Sequence, residues 1–379
     1  MKSDGRIRWS LLPAAAALLL AGLCGACSSA GSSAPTTSPE ASAKATGPPV
    51  PSAGCAVAPA AAISVQRQDI TVGGVDRWYL LTTPSPTTPS PTAPSPTTPG
   101  SSTPGRGSGP GGDSSPVARP LVLDFHGLVE GATIHAATSR FGDLAQKDGF
   151  VAAFPEGTGS PVQWDTSTPG SANADLAYVT AVLDQLEQTR CIDTSRVYAS
   201  GFSDGAFMVS QLACTMSGRF AAIAAVSGLQ LPKPCPTVRR VPILTFHGTA
   251  DPILYFNGGL GSATLNRVLG LSPSGGSTTT TTTRPAKLNG PGYPATVQAW
   301  SVKDGCSPAS TDSRVASQVI RRSYHCPAGT DVVFYIILGG GHAWPGSAVS
   351  RAISAVTGYT TFEISATTII WSFFQRFQL

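Results

Sequence analysis

The chain has 379 residues, with 25 Lys and Arg against 21 Asp and Glu, for a net charge of +4. Lys2, Arg6 and Arg8 against Asp4 account for half of that surplus, and the near-neutral remainder excludes the electrostatic footprint needed to hold nucleic acid or an anionic membrane surface. Charged residues are only 12%, while 41% hydrophobic residues exclude a wholly disordered chain.

Residues 2–8 are net basic and residues 9–23 are apolar. The apolar run is shorter than the roughly 18–20 residues of a membrane span and suits the hydrophobic region of a signal peptide. Leu23-Cys24-Gly25-Ala26-Cys27 reads as a lipobox-like end at which the Cys27 thiol would be lipidated; the alternative is an ordinary signal-peptide cut nearby. Residues 1–27 are therefore expected to export the chain, either free or anchored as a lipoprotein at the outer face of a bacterial membrane. Residues 28–54, rich in Ser, Ala, Thr and Pro, read as a disordered tether. Residues 55–379 read as a single domain, interrupted by low-complexity inserts at 83–116, with its Thr-Pro-Ser-Pro repeats, and 271–294, with six threonines from Thr278 to Thr283. The first insert falls between two predicted strands, so it is expected to be a surface loop and not a boundary between domains.

Gln68–Gly73 and Asp76–Thr82 flank Gly73-Gly74 and predict a hairpin. Strands are expected at Leu121–Phe125, Phe150–Phe154, Arg196–Gly201, Phe220–Val226, Val241–Phe246 and Val332–Leu338. Helices are expected near Ala137–Lys147, over Leu176, Val179, Leu183 and Leu186, from Asp204 to about Met216, near Ala295–Lys303, and from Ser365, with Ile369, Ile370, Phe373, Phe374 and Phe377 on one face. Strands alternating with helices predict an α/β fold, a mostly parallel central sheet with helices on both faces.

Beyond the leader there are six cysteines, Cys55, Cys191, Cys214, Cys235, Cys306 and Cys326. In an oxidising compartment an even number reads as disulfides; neighbour pairing favours Cys214–Cys235 and Cys306–Cys326, leaving Cys55–Cys191. None has the spacing of a metal site, and CxxC occurs only at Cys24 to Cys27. No metal or organic cofactor is expected.

The strongest chemical signal is Gly201-Phe202-Ser203-Asp204-Gly205, a G-x-S-x-G after an apolar strand and before a helix. Such a turn exposes the serine hydroxyl and sets the Asp204 amide, at the helix N-terminus, beside a developing oxyanion. A serine nucleophile needs a base and the base needs a carboxylate, in the chain order Ser, Asp or Glu, His. His342, in Gly339-Gly-Gly-His342-Ala-Trp344, and Asp251, in His247-Gly-Thr-Ala-Asp251-Pro, both follow strands and are the expected base and acid. His325, beside Cys326, reads as a surface or structural histidine, His247 as too early to serve, and Asp304, Asp312 and Asp331 as solvated. Asp124-Phe125-His126-Gly127-Leu128 is expected to bring the Leu128 amide to the oxyanion. His126 reads as a packing residue on the substrate side, and Trp164 and Trp344 as candidates to line the acyl or aryl pocket.

With DFHG (124–127), FPEG (154–157), RVYASGFSDGA (196–206), HGTADP (247–252) and GGHAWPG (340–346), the chain from about Asp69 onward resembles the polyhydroxybutyrate-depolymerase-like group of the α/β-hydrolase superfamily, which includes feruloyl and acetylxylan esterases. The resemblance implies an α/β-hydrolase fold, a triad of Ser203, Asp251 and His342, and an ester partner, on plant polysaccharide or a polyhydroxyalkanoate. Asp204 departs from the pattern, since the group often has Asn there. A monomer is expected. The alternatives are an acyltransferase of the cell envelope using the same triad, and a surface-binding relative that has lost catalysis.

Overall fold

A computed structural model describes residues 43–57, 61–91, 116–168, 170–269 and 285–379. The leader, Cys27, tether residues 28–42 and the centres of both inserts lie outside the described residues.

Among the described residues ten strands make one sheet: β1 (Ile63–Val72), β2 (Val75–Thr83), β3 (Arg119–Phe125), β4 (Val151–Pro155), β5 (Ile192–Phe202), β6 (Ala222–Val226), β7 (Ile243–Gly248), β8 (Ser310–Ala316), β9 (Val319–Tyr324) and β10 (Val332–Ile337). Their spatial order is β1-β2-β4-β3-β5-β6-β7-β10-β9-β8. The run from β4 to β10 pairs parallel, whereas β1 and β2 at one edge and β9 and β8 at the other pair antiparallel. The helices are α1 (Gly131–Ser139), α2 (Phe141–Asp148), α3 (Ala174–Thr189), α4 (Asp204–Thr215), α5 (Ser262–Val268), α6 (Tyr293–Lys303), α7 (Ala348–Ala352), α8 (Ser354–Thr357) and α9 (Ala366–Phe374).

Successive strand side chains point to opposite faces, which divides the interior in two. Leu121, Leu123, Val197, Ala199 and Ile223 join Leu183 of α3, Leu212 of α4 and Trp300 of α6 in one core. Val122, Tyr198, Ala224 and Leu244 join Ala132 of α1, Phe141 of α2 and Trp371 and Phe374 of α9 in the other. Tyr198 stacks on Phe374 with ring centroids 4.7 Å apart and Phe150 stacks on Trp371 at 3.9 Å, so α9 is held by aromatic faces.

Several expectations are corrected. The single helix near Ala137–Lys147 is two, broken at Arg140, which takes the left-handed conformation at φ 57°. The antiparallel pair of β8 and β9 was not anticipated. The tether reading fails for residues 43–54. Arg196 donates to Gly47 O at 2.6 Å, Asp193 Oδ1 accepts the Val50 N–H at 2.9 Å, and Ser52 Oγ donates to Arg190 O at 2.8 Å. This strap therefore finds polar partners on the main body although it has little to bury. Both inserts are shorter at their ends than expected. Arg119 donates to the carbonyls of Ser85, Pro86 and Thr88, and Tyr293, placed in the second insert, opens α6 and stacks on His247 at 3.6 Å. The disulfides are Cys55–Cys191, Cys214–Cys235 and Cys306–Cys326.

Candidate active site

In a parallel sheet the loops after the strands share one edge, and such edges are where ligands bind in open α/β folds. Here β3, β5, β7 and β10 end at Phe125, Phe202, Gly248 and Ile337, immediately before the loops of Leu128, Ser203, Asp251 and His342. One rim therefore receives all four.

Ser203 turns β5 into α4 at φ 54° and ψ −112°, a conformation that L-residues rarely adopt. Its N–H is held by Val226 O at 2.9 Å, and its carbonyl accepts from Ala206 and Phe207 as the helix begins. The turn is possible because of its glycines: a Cβ at Gly201 would come within 2.3 Å of Gly205 O, and one at Gly205 within 2.1 Å of Phe125 O. The same closeness places the β3 loop against the serine, since a Cβ at Gly127 would be 3.3 Å from Ser203 Cβ. The Leu128 N–H has no hydrogen-bond partner among the described residues, and the first N–H groups of α4 lack intrahelical acceptors by geometry.

Asp251 is buried, and its Oδ1 accepts the N–H groups of Ile253 and Leu254, both at 2.8 Å. Its Oδ2 lies 2.8 Å from His342 Nδ1. A carboxylate only accepts, so Nδ1 carries the proton and the lone pair of the neutral ring falls on Nε2. Burial would push the Asp251 carboxyl up, but the facing His342 imidazole, then His247 and the Leu254 amide, outweigh it and hold it below the usual range. The His342 loop is fixed independently. Its N–H donates to Thr357 O at 2.6 Å, Gly341 N donates to Tyr359 O at 2.8 Å, and Ser227 Oγ donates to Ala343 O at 3.0 Å. The His342 and Phe202 rings lie 5.0 Å apart, which brings the imidazole to the turn carrying Ser203; no hydrogen bond joins Ser203 Oγ to His342 among the described residues.

Three residues expected to face substrate sit beneath the rim instead. His126 is fully buried, with Nδ1 on Gly127 O at 2.8 Å and Nε2 accepting the Gly157 N–H at 2.8 Å; burial pushes its imidazole down to about 4, so it stays neutral. Trp164 donates its indole N–H to His126 O at 2.9 Å and packs on that ring. Trp344 donates to Thr367 Oγ1 at 3.0 Å and is 1% exposed. These side chains brace the loops; they do not line an open pocket. Asp304 is also corrected, being buried and pushed up to about 6 by that burial, whereas Asp312 and Asp331 pair with Arg322 and Arg376. His325 is exposed.

Two further histidines, His247, set aside as too early in the chain, and His135, contact buried carboxylates. His247 Nε2 donates to Leu254 O at 2.8 Å and lies 3.3 Å from Asp251 Oδ2, a second imidazole on the same carboxylate; burial holds it neutral, near 4. His135 of α1 lies between the carboxylates of Asp124 and Glu130. The position of His247 four residues before Asp251 was a usable signal; that of His135 was not, because Asp124 reaches it from another element.

Residues 160–270 match the family model described as Phospholipase/Carboxylesterase. The chain is 30% identical over 276 residues to putative esterase NocK of Nocardia uniformis subsp. tsuyamanensis, a match covering 68% of this chain and 74% of that protein. It is 26% identical to feruloyl esterase B of Piromyces equi, over 62% of this chain and 41% of the relative. It is 31% identical to bifunctional acetylxylan esterase/xylanase XynS20E of Neocallimastix patriciarum, over 36% of this chain and 20% of the relative. The chain thus spans less than half of these last two proteins. Among solved structures, an acetyl xylan esterase from Aspergillus awamori superposes with a TM-score of 0.51 at 13% identity, covering 82% of this chain and 99% of that one, a likeness of fold.

Proposed function

Because the chain belongs to the esterases of the α/β-hydrolase superfamily, we propose that it cleaves carboxylic esters with Ser203 as nucleophile, His342 as base and Asp251 as the orienting acid. Ser203 Oγ attacks the ester carbonyl while His342 Nε2 takes its proton. The Asp251 carboxylate steadies the imidazolium, which then protonates the departing alcohol. The Leu128 and Asp204 N–H groups receive the oxyanion, and water, deprotonated by His342, frees the acyl group from the serine. The observation that carries this reading is the 2.8 Å bond from His342 Nδ1 to buried Asp251, on the rim that also bears the strained Ser203 turn.

The substrate in this reading is an acetyl or feruloyl ester of plant polysaccharide, a choice supported by relatives named feruloyl and acetylxylan esterases, with short polyhydroxyalkanoate esters second. The basic, then apolar N-terminus and the three disulfides support export, with Cys27 the candidate for lipid attachment. The test is a panel of methyl ferulate, acetylated xylan, hydroxybutyrate oligomers and p-nitrophenyl esters. Ser203→Ala is expected to lower the rate by ~10⁴–10⁶. A protein that hydrolyses none of these and resists organophosphate labelling at Ser203 would not be an esterase of this kind.

A further inference from the structure

The turn that carries the Leu128 amide is closed by one residue, Glu130, through both its backbone and its side chain. Glu130 N donates to Gly127 O at 3.1 Å, and Glu130 Oε2 accepts the Gly127 N–H at 2.9 Å. Leu128 and Val129 are the central residues of this turn, and Val129 is held at φ 63°, a strained position for a β-branched residue. Such a turn persists only if its surroundings over-determine it. Glu130 is fixed in its turn by Thr138 Oγ1, which donates to Oε1 at 2.7 Å, and by His135 Nδ1, 3.1 Å from Oε2. The other nitrogen of His135 is in ion-pair contact with Asp124 Oδ2 at 3.0 Å, and the residue has no exposed surface. The Asp124 contact is one of charge and not a hydrogen bond, and an imidazole flanked by two carboxylates is favoured as imidazolium. Burial opposes that charge, but Asp124 and Glu130 outweigh it and raise the imidazole to about 10. The edge of Trp344, two residues past His342, packs on the same ring at 5.6 Å.

We propose that His135, as a buried imidazolium between Asp124 and Glu130, is a positioning residue that locks the Gly127–Glu130 turn so that the Leu128 N–H is presented to the oxyanion formed at Ser203. This rests on the esterase reading and adds a named support for its oxyanion hole. The sequence disperses the device over Asp124 at the end of β3 and Glu130, His135 and Thr138 on one side of α1, so that the first helix after the loop holds the loop.

The test uses His135→Gln, Glu130→Gln and Thr138→Val in the full chain, with p-nitrophenyl acetate as substrate and an alkyl boronic acid as mimic of the tetrahedral adduct. His135→Gln and Glu130→Gln are expected to lower kcat by roughly 10–100-fold with KM little changed, and to weaken boronic acid inhibition by a similar factor. Thr138→Val, which removes one bond, should do the same to a smaller degree and serves as the readout should either of the others fail to fold. Variants that melt earlier but keep wild-type kcat and boronic acid affinity would make the cluster structural only and overturn the proposal. Wild-type protein that neither turns over the ester nor labels at Ser203 with an organophosphate would instead overturn the esterase reading, and the clamp with it.

Discussion

Asp204 follows Ser203, the proposed nucleophile, so its carboxyl group bears on the negative charge that ester attack would create. Burial pushes the Asp204 carboxyl up to about 6, with Asp175 adding to the rise, and Oδ2 accepts the Trp164 N–H at 2.8 Å. Below pH 6 the group is neutral; above it, a carboxylate on the residue next to Ser203 adds a negative charge that would oppose the proposed oxyanion. Asp204→Asn keeps an oxygen for the Trp164 N–H and removes the charge. It is expected to raise kcat/KM at pH 8 by roughly 3–10-fold, the size of a partly screened like-charge contact, and to abolish any inflection near pH 6 that belongs to this group. A pH–rate profile with p-nitrophenyl acetate that is the same for both proteins would reject this. At this scale the sequence was legible where the chain itself announces a turn. Ser203, Asp251 and His342 each follow a strand beside glycine or proline, so their placement on one rim could be read from spacing. The burial of His126 and Trp344 could not be read, because it depends on which neighbours fill the space above them, and the tertiary fold alone decides that.

The turn from β5 to α4 sets a narrower condition on the chain than either element alone. With Ser203 held at positive φ, the start of α4 is driven against the end of β3, and Gly205 is the residue at the contact. Gly205→Ala would place its methyl 2.1 Å from Phe125 O, a backbone atom that cannot swing aside. Overpacking of this kind costs about 1–3 kcal/mol when the surroundings can relax, and here the relaxation would move the Leu128 turn and Ser203 apart. The variant is therefore expected to show a lower urea midpoint together with loss of esterase activity. A Gly205→Ala protein with wild-type midpoint and rate would mean that β3 and α4 are not in this contact. Elements of this buried kind were the legible ones, since apolar runs bounded by glycine or proline mark central strands. The β8 and β9 hairpin was not legible: Ser310–Ala316 is almost wholly exposed, so neither burial nor alternation marks it as a strand. The break between α1 and α2 escaped for a related reason, because an arginine at φ 57° leaves no glycine or proline as a sign.

Across the whole molecule, the two ends of β5 do different work. Its opening end, at Ile192 and Asp193, receives the strap of residues 43–57 through the Val50 and Ser52 bonds and the Cys55–Cys191 disulfide. Its closing end, at Phe202, delivers Ser203. The disulfide joins residues 136 apart in sequence, the longest separation of the three, so it removes more freedom from the unfolded chain than the other two in the chain-entropy account. The double variant Cys55→Ser, Cys191→Ser is accordingly expected to lose about 2–4 kcal/mol of stability. Its kcat at 25 °C should stay within about twofold of wild type, because the strap's hydrogen bonds to the rest of the chain, among the described residues, go to residues 190–196 and the C-terminal segment, and not to the loops of Leu128, Ser203, Asp251 or His342. Urea unfolding and steady-state rates on the same preparation separate the two quantities. A fall in kcat matching the fall in stability would mean that the strap reaches the catalytic rim through β5, making the strand a coupling element as well as a scaffold.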